Sequence, residues 1–284
     1  MADLHGIVVA ALANTVPLAL AGLGEALLER SGRVNLGVEG LMAVGAAVGV
    51  LAGIHLGNPY PALVIGGLAA ALLSLLYVIP VIVLGADQIV AGLALFFAGT
   101  ALADLAGAAT GGAPAPPLVG SPWDPVAAST LALVVASTLL LYRSWLGVEI
   151  RAVGESMEHA QARGLRVAQI QGGLAIAAAF LAGVAGAYMA LALHNGRWYS
   201  GITAGWGWIA LGLVILGYWS PPGVLLASLL AGALLSSRTL LAAHGVNEAI
   251  ADMAPYLAVL ASLLVMSLVA GRRARPPSMV WRRE

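Results

Sequence analysis

The sequence predicts an all-α polytopic membrane protein, a transmembrane helical bundle of about nine spans, within a range of about eight to ten. Three observations carry that prediction. Hydrophobic residues make up 61% of the 284-residue chain and charged residues only 9%, with a mean hydropathy of +0.95, whereas a soluble domain carries roughly 25% charged residues. Apolar runs of roughly 20 residues recur along the length, and about that length crosses the hydrocarbon core as a helix. The short alternating segments of a membrane barrel are absent.

The spans fall at 6–28, 36–56, 60–84, 87–109, 126–143, 169–193, 204–219, 221–239 and 249–270, in one membrane domain over 1–284. The first follows an N-terminus with no basic stretch and is long, so it reads as a retained span rather than a leader. Span 87–109 carries Asp87, Gln88 and Asp104, and 204–219 is short. The loop 111–125 is rich in Pro and Gly and has no basic residue. The longest polar connection, 144–171, holds Glu149, Arg151, Glu155, Glu158, Arg163 and Arg166. Within it, good helix formers over 155–163 lie between Gly154 and Gly164, which predicts a short amphipathic helix with a glycine stop at each end. The tail 271–284 is basic.

Alternating spans place Arg30, Arg33, Arg143, Arg151, Arg163, Arg166 and the tail arginines on one side, and only Arg197 and Arg238 on the other. Basic connections stay in the cytoplasm, so the N-terminus is expected outside and the C-terminus inside. Cysteine is absent, which excludes disulfides and thiolate metal sites. All thirteen basic residues are arginine, which excludes a Walker A site and a Schiff-base lysine on this chain. His5, His55, His159, His194 and His244 show no metal spacing and read as surface groups. No metal or other cofactor is expected, and no nucleic-acid partner.

Two polar, Gly-punctuated stretches adjoin apolar runs. The first, 29–40 (ERSGRVNLGVEG), is either a basic turn between spans or a broken helix whose freed backbone lines an aqueous path. Asn35 and Glu39 are four apart and share a face if helical. The second, 196–208 (GRWYSGITAGWGW), falls on the opposite side of the membrane, and such paired interruptions weakly signal an inverted repeat. Its Trp198, Tyr199, Trp206 and Trp208 read as an interfacial belt. Glu25 and Asp104 are the deepest ionisable residues and Asp87 lies near a span end; each is a functional group or is paired inside the bundle. Arg238, Glu248 and Asp252 fall near the outer interface.

These stretches carry a resemblance. GEALLERSGRVNLGVEGLMAVGA (24–46), ADQIVAGLAL (86–95), GVEIRAVGESMEHAQARGL (147–165), FLAGVAGAYMAL (180–191) and GITAGWGWIALGLVILG (201–217) resemble, in order, the motifs of the permeases of ribose-type and nucleoside-type ABC importers. Those permeases are related to the branched-chain amino-acid permeases. The Glu-Arg-x-Gly opening and the short chain are most similar to the shorter of two permeases in nucleoside uptake systems. The resemblance implies a type II ABC-importer-like permease in the plasma membrane, not an enzyme. It implies work with a separate ABC ATPase, a second, longer permease and an extracytoplasmic solute-binding lipoprotein. The solute is then a nucleoside or, alternatively, a simple sugar. The 144–171 segment would couple to the ATPase through Arg151, Gly154, Glu155, Ala160 and Gly164, and Asn35, Glu39, Asp87 and Gln88 would serve the translocation pathway. An ion-coupled secondary transporter would also have broken helices and buried carboxylates but would not need the long charged loop. An intramembrane enzyme would need a positioned nucleophile, paired aspartates or metal-binding histidines, and that spacing is absent.

Overall fold

The computed structural model describes residues 4–118 and 124–243, together with Met253, Tyr256, Leu257, Leu260, Ala261 and Leu264. All regular structure among them is helical. In chain order the helices are α1 (Leu4–Arg30), α2 (Val38–Leu56), α3 (Pro59–Leu73), α4 (Leu75–Tyr77), α5 (Gln88–Ala108), α6 (Pro125–Arg143), α7 (Trp145–Glu155), α8 (Met157–Ala162), α9 (Val167–Tyr188), α10 (Trp206–Leu216) and α11 (Pro221–Ala243). Wider π turns extend α4 over Val78–Val83 and α9 over Met189–Leu193. The first contains Pro80, whose ring nitrogen cannot donate within an α-helix, and the turn widens around it.

Starts are set by side-chain caps. Asn58 accepts from the Tyr60 N–H with Pro59 opening the helix, and Asp124 caps α6 ahead of Pro125 in the same way. Asp87 accepts from the N–H groups of Ile89 and Val90, at 2.9 Å each, and so begins α5. Among the described residues six stretches are long and apolar enough to cross a membrane: Gly6–Arg30, Val38–Leu56, Pro59–Val83, Gln88–Ala108, Pro125–Arg143 and Val167–Leu193.

α2 sits at the centre, packed on α3, α5 and α9, while α1 packs on α9, α10 and α11. Glycines let these backbones touch. A Cβ on Gly45 would fall on the Gly183 carbonyl, one on Gly186 on the Met42 carbonyl, and one on Gly99 at 2.7 Å from the Gly40 carbonyl. Lipid offers no hydrophobic drive for helix association, so this close approach is what holds membrane helices together. The outer flanks of α3 and α6 show Leu68, Leu72, Leu131 and Leu139, as a lipid-facing surface requires.

Two expectations change. The span expected at 204–219 is an eleven-residue helix, Trp206–Leu216, which at 1.5 Å per residue is about half a membrane thickness. The helix expected at 155–163 does not start at Gly154, which lies inside α7. The break falls at Ser156, extended at φ −161° and ψ 111°, whose hydroxyl accepts from the His159 N–H to begin α8. Gly164 does act as the stop: at φ +79° it follows α8, its N–H bonds the Gln161 carbonyl and the Leu165 N–H bonds Ala160, a Schellman closure. The ninth span, the tail, His244, Glu248 and Asp252 lie outside the described residues, as do the side chains of His5 and Arg238.

Candidate functional site: two interrupted segments joined through Glu39

Between α1 and α2 the chain stays irregular for seven residues (31–37), yet Ser31, Val34 and Asn35 are buried. Its backbone groups are met by side chains from three other elements. Gln171 of α9 donates to the Ser31 carbonyl at 2.8 Å and accepts from Arg33 Nε at 3.1 Å. Tyr77 Oη donates to the Val34 carbonyl at 2.7 Å, and Gln88 Oε1 accepts from the Val34 N–H at 3.2 Å. Asn35 turns inward and accepts from the Gly37 N–H at 2.9 Å. Buried irregular backbone in a membrane is tolerated where it finds such partners. α2 then starts deep: Gly40 lies against the Phe96 carbonyl, eight residues into the 21-residue α5.

From the opposite end the chain after Leu193 turns back inward. Asn195 and Ala204 are left-handed at φ 51° and 44°. Trp198 lies against Gly107 near the end of α5, and the Trp208 ring meets Phe96 edge-on at 5.7 Å. The segment therefore descends along α5 to its middle before α10 begins. There Glu39, 6% exposed, closes the two breaks on each other. Its Oε1 accepts from Thr203 Oγ1 at 2.6 Å and the Gly205 N–H at 2.9 Å, and Oε2 accepts from the Gly207 N–H at 2.7 Å. A carboxylate at a helix N-terminus meets both its free N–H groups and the positive end of its dipole. Glycine at 207 is needed because a Cβ would sit 2.6 Å from the Glu39 backbone.

The other end of α10 is tied to α1. Tyr218 and Trp219, both left-handed at φ 54° and 51°, turn the chain into α11. Such backbone is costly for aromatic residues and persists only where neighbours fix it. Glu29 accepts from the Trp219 indole N–H, and Arg30 donates to the Trp219 carbonyl at 2.6 Å and the Tyr218 carbonyl at 3.1 Å. α7 reaches the same joint, since a Cβ on Gly154 would fall on the Arg30 carbonyl oxygen. Contacts thus run from α7 through the end of α1 and the 218–219 turn to α10, and from α10 to Glu39.

Residues 7–270 match the family model described as the permease component of branched-chain amino acid transport systems. The chain belongs to that permease family. Among curated relatives, a glucose ABC transporter permease of Haloferax volcanii, provisionally so named, is 33% identical over 81% of this chain and 75% of its own. The nucleoside ABC transporter permease NupC of Lactococcus lactis is 29% identical over 93% of this chain and 92% of its own. The guanosine ABC transporter permease NupQ of Bacillus subtilis is 30% identical over 80% and 79%. No solved structure matches the chain. The protein is a multi-pass ABC permease subunit rather than an enzyme, and permeases of this family work with an ATPase and a binding protein.

The permease brings its sequence-predicted site residues into two groups. Asn35, Glu39 and Gln88 gather around the first break, each bonded within the chain, while Asp87 caps α5 at an exposed corner. Of the coupling candidates, Gly154 is the contact to α1 and Glu155 is exposed. Ala160, 3% exposed, packs α8 on Val153 and Val167. The Arg151 guanidinium lies 5.7 Å over the Tyr142 ring, a cation–π contact, and its Nη1 is buried without a hydrogen-bond partner. Gly164 and Glu149 line a groove of about 480 Å³ between α7 and the start of α9, with Ile150, Arg166 and Ile170. Sequence reasoning missed Glu29, Arg30 and Trp219 as a unit; the only local signal was Glu-Arg beside the first break. It also misplaced Trp206, which is 9% exposed and belongs to the core, not to an interfacial belt. Both Glu25 carboxylate oxygens are buried without a hydrogen-bond partner.

Proposed function

We propose that this chain is one of two permeases forming the pathway of an ATP-driven importer for a nucleoside or similar small polar solute. The observation that carries the reading is the pair of breaks, entering from opposite ends and joined at Glu39, in a chain that also bears a separate, tightly packed α7–α8 element. A carrier built this way can open to either side by moving one half-helix. The α7–α8 element would lie on the cytoplasmic side with the arginines and dock on the ATPase through Arg151, Gly154, Glu155, Ala160 and Gly164. Closure of the ATPase would shift α7 and, through the Arg30 and Trp219 contacts, α10. Asn35, Glu39 and Gln88 would shape the pathway by holding its breaks in place, and Asp87 by capping α5 beside them. The N-terminus would then face outward and the C-terminus the cytoplasm.

For the solute, the relatives named for nucleoside and guanosine transport favour a nucleoside, and a second, longer permease and a solute-binding lipoprotein complete the system. The relative named for glucose keeps a simple sugar as the second reading. Uptake of labelled adenosine by cells carrying the full transporter tests this. An excess of unlabelled guanosine or uridine should abolish uptake, while glucose and ribose should leave it intact. Inhibition by sugar alone would transfer the assignment to sugar.

A further inference from the structure

One flank of the molecule is unsuited to lipid. Between Trp198 at Gly107 and Trp208 at Phe96 the chain descends along α5 by roughly 16 Å, at about 1.5 Å per intervening α5 residue. Over that depth it is irregular until Trp206, and Tyr199, Ser200, Gly201 and Ala204 are exposed. Irregular backbone at membrane depth is tolerated only against protein or water. Tyr256 covers the Ala204 carbonyl with a 2.6 Å hydrogen bond.

The adjoining flank of α5 carries Phe96, Thr100 and Asp104 at successive i, i+4 positions, with Phe97 beside them. Asp104 is exposed, one turn inside the end of the helix, and has no hydrogen bond or ion pair among the described residues. Ionisable residues within membrane segments face a bundle interior or a water-filled cavity, not lipid. Phe96 and Phe97 lie 4.9 Å apart, and Trp208 closes on Phe96 from α10. Phe97 is 66% exposed and Trp208 39%.

We propose that this flank, formed by α5, the descending segment and the start of α10, is the chain's wall of the solute pathway, with the second permease opposite. Phe97 and Trp208 offer the nucleobase a stacking surface, and Asp104, two helical turns above Phe97, accepts from ribose hydroxyls. Stacking suits a transporter because every base has a π face and the contact is sequence-tolerant. The ligand assignment rests on the nucleoside reading above; the wall does not.

The chain has no cysteine, so Phe97→Cys, Asp104→Cys and Ser200→Cys each give a unique thiol in an assembled transporter whose other subunits are cysteine-free. Leu72→Cys on the lipid flank of α3 is the control. A membrane-impermeant maleimide reacts with the thiolate, which requires water. The three pathway thiols should react at least about tenfold faster than the control, and adenosine should slow labelling at Phe97→Cys and Asp104→Cys. Rates as slow as the control at all three overturn the wall, whatever the solute. Fast labelling slowed by ribose but not adenosine keeps the wall and sinks both the stacking role and the nucleoside reading. Independently, Trp208→Leu should raise the KM for adenosine about fivefold; an unchanged KM overturns the stacking role.

Discussion

Three donors from a segment 164 to 168 residues away in sequence converge on the Glu39 carboxylate. Each would be costly to leave unpaired in a medium without water. Glu39→Ala removes all three acceptor contacts and leaves a hydroxyl and two N–H groups buried without partners. It should destabilise the detergent-solubilised protein by about 3–5 kcal/mol. Glu39→Gln retains one acceptor oxygen and should cost less, and Thr203→Val, which removes one donor, about 1 kcal/mol. Chemical denaturation midpoints check the order; an Ala variant as stable as wild type would remove Glu39 from its joining role. That Asn35 and Glu39 are polar groups beside an interruption is legible in the sequence. Their partners are not, because no local pattern links residue 39 to residues 203–207. The same holds for Trp219, whose indole and carbonyl are both held by neighbours on α1.

The elements were legible to the extent that their ends are chemical. Asp87, Asp124 and Gly164 act where their side chains or backbone freedom mark a boundary. Gly154 misleads because a glycine serves either a turn or a close approach, and here it serves the approach to Arg30. α10 misleads because an apolar run of this length reads alike whether it crosses half a membrane or all of it. What distinguishes the half-helix is a carboxylate waiting at its N-terminus. The α7–α8 element has a clear expected behaviour. Gly154→Val places bulk on the Arg30 carbonyl and pushes α7 from α1, so ATP hydrolysis by the assembled transporter should persist while uptake falls at least about tenfold. Trp219→Phe, which removes the indole donor to Glu29, should show the same split in weaker form. Parallel ATPase and uptake assays read it, and equal loss of both activities would mean that these contacts only support assembly.

Across the whole molecule, glycines bring α2 against α5 and α9 while leucines on α3 and α6 face outward, so the permease divides into a close-packed centre and a lipid-facing rim. The flank carrying Asp104 and the exposed irregular segment belongs to neither, as the proposed pathway wall requires. Hydropathy made the membrane class and most span positions readable in advance, since crossing length is fixed by the bilayer. It could not rank the flanks, because lipid-facing and partner-facing helices share one composition. On the proposed function, the two joined breaks serve uptake driven by ATP on another subunit. Reconstituting this chain with an ATPase, a binding protein and the second permease proposed above in liposomes tests it. Labelled adenosine should enter only with ATP and all four components, with no response to an imposed proton or sodium gradient. Entry driven by such a gradient without ATP would contradict it.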